Sequence, residues 1–228
     1  MDLTEGASAT VSGLRLGKPT RYFYDDLDPA VASCTQIALE RLQAAGATLV
    51  EIEVPEAAER EALFPVVLPA ELIAVLGRER FDKGRSQMDP VVAARAARGL
   101  ETSADQYIRV IGRHRELIAI ARSRMAGFDG WITPTAALTP PPVEDFDDLQ
   151  KALGLAFSIT KSSQPMNMFG QCGVSLPVHH LGSALPVGLQ VACSPNSEVQ
   201  LLAVAKAVEE VLGTPPPLDL TAFVHERR

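Results

Sequence analysis

Few residues in this chain combine types and spacing that could do chemistry. Lys161-Ser162-Ser163 sets an amine beside two hydroxyls, the groups that serve acyl transfer. Neighbours along a chain point apart, however, and nothing in this spacing brings them to one reacting atom. Cys172 with His179 or His180 offers a thiol and a base, which would have to meet within hydrogen-bond reach. The doublet His179-His180 is too small a ligand set for a metal, and Cys34, Cys172 and Cys193 lack any Cys-x-x-Cys spacing. Asp145, Asp147 and Asp148 could draw a cation but read as a solvated loop. There is no Gly-x-Ser-x-Gly elbow, phosphate loop or dinucleotide fingerprint. The residues therefore assign no catalytic group, no metal and no cofactor.

Binding is the other chemistry to look for. Ligands of α/β proteins sit beyond strand ends, so pocket-lining side chains are expected at Trp131, Thr133, Asn167, Phe169 and Gln171. Trp131 and Phe169 would supply apolar surface, and the amides of Asn167 and Gln171 would orient a ligand. Each of these side chains could instead only anchor the core or tie a loop.

The elements that must position these groups are legible in outline. Leu14 to Tyr24 reads as a first strand, and Asp28-Pro29 starts a helix whose Val31, Cys34, Ile37, Ala38 and Leu42 share a face until Gly46. Ala47 to Val54 alternates apolar and charged residues as a half-buried strand does. Strand, helix, strand with short joints predicts a βαβ unit with parallel strands. Glu56 to Met125 is helical by composition, with interruptions expected at Pro65, Pro69, Gly84 and Pro90. Its clearest helix runs from Ser103 to Met125, with Arg109, Arg113, Arg115, Arg122 and Arg124 on a solvated side. Trp131 to Thr135 is a short strand stopped by proline, and Val143 to Ser163 has no clear assignment. Gly173–Val178 and Leu185–Ala192 read as two buried strands joined by a hairpin, covered on both faces. A last helix carries Leu201, Ala205, Val208 and Leu212 as one stripe and ends at Gly213.

Composition narrows the function classes. The chain has 228 residues, 46% of them hydrophobic and 21% charged, which is ordinary for a globular domain with a sizeable core. A formal net charge of -7 gives no general attraction to nucleic acid or an anionic membrane. The unpaired pattern of cysteines and the acidic N-terminus, unlike a secretory signal, point to a cytoplasmic protein without a membrane span. Residues 1–12 read as a flexible leader and 13–228 as one α/β region.

The order of segments carries more than any single residue. Asn167-Met168-Phe169-Gly170-Gln171-Cys172-Gly173-Val174-Ser175-Leu176-Pro177, followed by Leu185-Pro186-Val187-Gly188-Leu189-Gln190, resembles the C-terminal hallmark of the amidase-signature hydrolases. The likeness extends upstream through Phe128 to Thr135, with its Thr-Pro-Thr ending, and on to Gly13–Gly17, Asp28–Val31 and Ala44–Ala47. In place of the family's proline after Gly-Gln this chain has Cys172.

The resemblance implies an α/β fold, a mixed β-sheet flanked by helices that forms the C-terminal portion of the amidase-signature fold, with an incomplete edge or face. It also implies a wall of an amide-substrate pocket. The family's glycine- and serine-rich signature, holding the Ser nucleophile and a bridging Ser, and the Lys that precedes it lie N-terminal to everything matched, and this chain contains neither that signature nor that catalytic Lys. The implied function is a pocket-forming portion of an amide hydrolase, inactive alone, whose partner is a small-molecule amide once an N-terminal half completes it. A homo-oligomer is left open. The competing readings are a non-catalytic binding or assembly module with the same fold, and an independent enzyme using Cys172.

Overall fold

The computed structural model describes residues 10–217. β1 (Arg15–Pro19) leads through a turn at Tyr22–Asp26 to α1 (Pro29–Ala44) and then β2 (Thr48–Ile52). Asp28 accepts a hydrogen bond from the Ala30 amide at 2.8 Å, Pro29 occupies the first turn, and Gly46 takes the left-handed φ of 99° that closes the helix. β1 and β2 pair in parallel, as the βαβ pattern requires. Of the expected leader, residues 1–9 lie outside the described residues. Val11 is buried in the core, so packing begins before Gly13.

Among the described residues the sheet has five strands in the order β2-β1-β3-β5-β4, with β3 at Gly130–Pro134, β4 at Cys172–Pro177 and β5 at Gly188–Cys193. β1 runs parallel to β3, while β5 is antiparallel to both β3 and β4, so the sheet is mixed. Helices flank it, giving the expected α/β class. On one face Leu16, Ile132, Leu189 and Val191 pack with α1 and with α8 (Glu198–Leu212), whose Leu201, Ala205, Val208 and Leu212 are all buried. On the other, Trp131 and Ala192 pack beneath α5 (Ala104–Met125). Alternate side chains of one strand thus feed two cores.

Several expectations are corrected. α2 (Arg60–Leu76) runs through both Pro65 and Pro69. Each proline lacks the N–H for the carbonyl four residues back, yet Leu63, Phe64 and Val67 bury the helix deeply enough to hold it. The 3-10 turn Arg98–Leu100 lies directly against it: a Cβ on Gly99 would sit 2.2 Å from the Pro69 carbonyl oxygen. Gly84 and Pro90 act as expected, ending α3 (Arg78–Gly84) and opening α4 (Pro90–Ala97). The arginine side of α5 is not uniformly solvated. Arg113 grips Glu59 through two nitrogens and Arg124 reaches Glu56, tying the helix to Pro55–Glu59. The unassigned stretch holds α6 (Leu149–Ile159), capped by Asp148. β4 is not covered on both faces. Cys172, Val174 and Leu176 pack on the core shared with α8, but Gly173 and Ser175 on the other side are exposed.

Candidate functional site

The isolated motifs dissolve in the structure. Cys172 and the histidine doublet lie at opposite ends of β4, about 20 Å apart at a strand's rise per residue, so thiol and imidazole cannot form a pair. The Cys172 thiol instead donates to the Ser194 carbonyl, and His180 Nε2 lies 3.0 Å from the Leu212 carbonyl, tying the hairpin to α8. Lys161 donates to the Asp25 carbonyl, and Ser162 is buried. Asp148 caps α6 and Asp145 pairs with Lys151; no group of three or more metal-ligating side chains occurs among the described residues.

The expected pocket residues are scattered. Trp131 and Phe169 are fully buried and meet edge to face, ring centroids 6.1 Å apart, in the core beneath α5. Gly17 makes room for this indole: a Cβ there would lie 2.7 Å from Trp131 Cδ1. Asn167 is exposed near the end of α7 (Ser163–Met168). Gln171 is half-buried, its amide nitrogen directed at the Met125 sulfur. Thr133 is buried on the same sheet face as Trp131. None of these residues lines the cavity described below. The reason is the direction of α7, which turns Met166, Met168 and Phe169 into the core and leaves Gln164 for the cavity wall.

Two further features stand out in the structure. The first is a polar row across the sheet. Register pairs Thr133 with Gln190 and Gln190 with Ser175, and Ser175 and Thr135 hydroxyls are 2.6 Å apart. Thr133 Oγ1 and the Gln190 amide nitrogen are buried with no hydrogen-bond partner among the described residues. Such groups cost about 1–3 kcal/mol each when left unmade. The second is a cavity of about 650 Å³ between α2, α4 and α6. Phe64, Leu68 and Leu72 of α2, Val92 of α4, and Leu153 and Phe157 of α6 form its apolar wall. Its polar lining is Arg95, Arg98, Gln150 and Gln164, without any Asp or Glu among the described residues.

Behind Phe157 and Gln164 lies Arg60, only 2% exposed. Its Nε donates to the Tyr22 hydroxyl, and one Nη donates to the Phe157 carbonyl at 3.0 Å and to Gln164 Oε1 at 2.7 Å. The guanidinium also stacks 3.7 Å from the Phe157 ring centroid. It makes no ion pair among the described residues. Burial raises the Tyr22 pKa, and the neighbouring Arg60 works against that rise, so the phenol stays protonated at neutral pH.

A flanked mixed sheet with a largely apolar cavity between its outer helices defines an α/β framework. The profile of the Amidase family matches residues 1–202, and the chain belongs to that family. It is 30% identical over 209 residues to the 2-amino-5-chloromuconic acid deaminase of Comamonas testosteroni, covering 91% of this chain and 45% of the relative. To the indoleacetamide hydrolase of Rhizobium radiobacter it is 31% identical over 226 residues, covering 89% and 48%. A crystal structure of an amidase shares the fold with a TM-score of 0.77 at 18% identity, over 90% of this chain and 47% of that one. The chain thus spans about half the length of the relatives it matches. No helix among the described residues is long and apolar enough to cross a membrane.

Proposed function

We propose that this chain is the substrate-side half of an amide hydrolase, with the Ser-Ser-Lys machinery supplied by polypeptide outside these 228 residues. The observation that carries the reading is the row Thr133–Gln190–Ser175. It runs to an exposed strip of β4 and holds buried polar atoms that lack partners among the described residues, as a sheet face does when further protein completes it. The chain's span of about half of its amidase relatives supports this. Thr133 is kept from the expected pocket set as part of this contact face. The cavity walled by α2, α4 and α6 is the side that holds the amide's apolar portion. Amide cleavage needs an activated nucleophile and an oxyanion site, and Cys172, bonded to the Ser194 carbonyl and remote from both histidines, is not placed to provide the first.

The test has two arms. The purified chain, beside Cys172→Ala and Ser163→Ala variants, is assayed on a panel of aliphatic and aromatic amides, and no turnover is expected. Turnover lost in either variant would overturn the proposal in favour of an independent active site. In the second arm, fusing the chain behind the N-terminal half of the Rhizobium radiobacter indoleacetamide hydrolase is expected to restore amide cleavage. A folded fusion that binds amides without cleaving them would favour a non-catalytic binding module.

A further inference from the structure

We infer that the cavity between α2, α4 and α6 takes an apolar carboxylate, and that Gln164, held by Arg60, is the residue that selects it. This rests on reading the cavity as a ligand wall. The argument begins with what a guanidinium can do: it donates hydrogen bonds and accepts none. Arg60 donates to Gln164 Oε1 at 2.7 Å, which engages the carboxamide oxygen and leaves the amide nitrogen as the group Gln164, a residue of the cavity lining, has free to present. That nitrogen donates to no described residue, although Gln164 is only 5% exposed.

The surroundings agree in sign. Among the described residues Arg95 and Arg98 line the same cavity and enter no ion pair, and no carboxylate lines it, in a chain whose formal net charge is -7. A buried guanidinium without a counter-charge is costly, and an anion brought close to it offsets that cost. The rest of the cavity asks for an apolar body: Leu68, Val92 and Phe157 remain 42%, 44% and 37% exposed, surface that a bound hydrocarbon would cover. Two arginines without a carboxylate partner beside an apolar throat fit a carboxylate on an aryl or alkyl group, and they oppose an ammonium on the same group.

The experiment is calorimetric titration of the full chain with phenylpropionate, phenylpropionamide and phenylpropylamine, which share one apolar body. Phenylpropionate should bind best and the amine at least about tenfold more weakly, a difference of about 1.4 kcal/mol. Gln164→Glu gives Arg60 a carboxylate and removes the amide donors. It should keep or raise the melting temperature, weaken phenylpropionate at least about tenfold and narrow the gap to the amine. Arg98→Gln, at an exposed position, should reduce phenylpropionate binding without loss of fold, and serves as the second variant should Gln164→Glu misfold. Equal binding of acid and amine, or an unchanged acid affinity in folded Gln164→Glu, would overturn the inference and leave the wall reading intact. Failure of all three compounds to bind at millimolar concentration would overturn both. Selective acid binding in a chain whose fusion never cleaves amides would leave the inference standing and remove the hydrolase reading.

Discussion

Replacing Gly99 with Ala probes the contact that shapes the cavity. The new Cβ would stand 2.2 Å from the Pro69 oxygen and 2.4 Å from its carbonyl carbon, where real contacts stay above 3.0 Å. Both atoms are backbone, so no side chain can swing aside; the turn Arg98–Leu100 and α2 must part by about 1 Å. Overpacking costs about 1–3 kcal/mol, and a clash with backbone that no rotamer relieves belongs in the upper half, about 2–3; replacing glycine returns about 0.5–1 kcal/mol of unfolded-state entropy, leaving a net loss of about 1–2 kcal/mol. For a chain of this size that lowers the melting temperature by about 2–8 °C. Gly112→Ala is the control: it lies inside α5 with nothing within 4 Å of the added carbon, and should stabilise by about 0.5–1 kcal/mol. Because Pro69, Ala96 and Arg98 all line the cavity, Gly99→Ala should also weaken phenylpropionate binding, whereas Gly112→Ala should not. Thermal denaturation followed by circular dichroism reads the first effect and calorimetry the second. A melting temperature for Gly99→Ala equal to or above the parent's would refute the close packing of the turn on α2.

Leu189→Asp places a carboxylate at a fully buried position of β5 between β3 and β4, and should cost several kcal/mol or prevent folding; a soluble variant melting with the parent would exclude this placement. Burial pushes the Cys193 thiol up to about 12 from 9.0, so the folded state holds its proton more tightly than the unfolded state. The associated stability is complete below pH 9.0 and is lost as pH rises towards about 12. Native alkylation at mildly alkaline pH should therefore spare Cys193 and modify it only after unfolding, as peptide mass mapping would show. Rapid native labelling would contradict its burial.

What the sequence disclosed and what it concealed differ in range. α1 was legible because cap, stripe and terminating glycine lie within one short segment and agree, and α8 because its stripe and Gly213 do, although Ser197 makes no side-chain capping bond. α2 was not, since a local rule about Pro65 and Pro69 lost to burial contributed by distant elements. The strands around Ser175 and Gln190 were recognisable, but counting them as continuous apolar runs hid an alternation of period two. Ser175 between Val174 and Leu176, and Gln190 between Leu189 and Val191, are one-face polar positions, and only the register places them beside Thr133. Arg60 and Gln164 stand 104 positions apart, and neither belongs to any motif, so their pairing could not be read from spacing. Trp131 and Phe169 show the converse: large aromatics at strand and helix ends have the composition of a pocket wall, and in this chain they fill the gap left by Gly17 and the core beneath α5. The family likeness was visible because it resides in the order of several short segments, each weak alone. In a chain without a nucleophile motif, the residues that give a ligand its sign and orientation are ordinary polar side chains. Their meaning comes from what a far-off partner forces them to present, as Arg60 does in fixing the oxygen of Gln164.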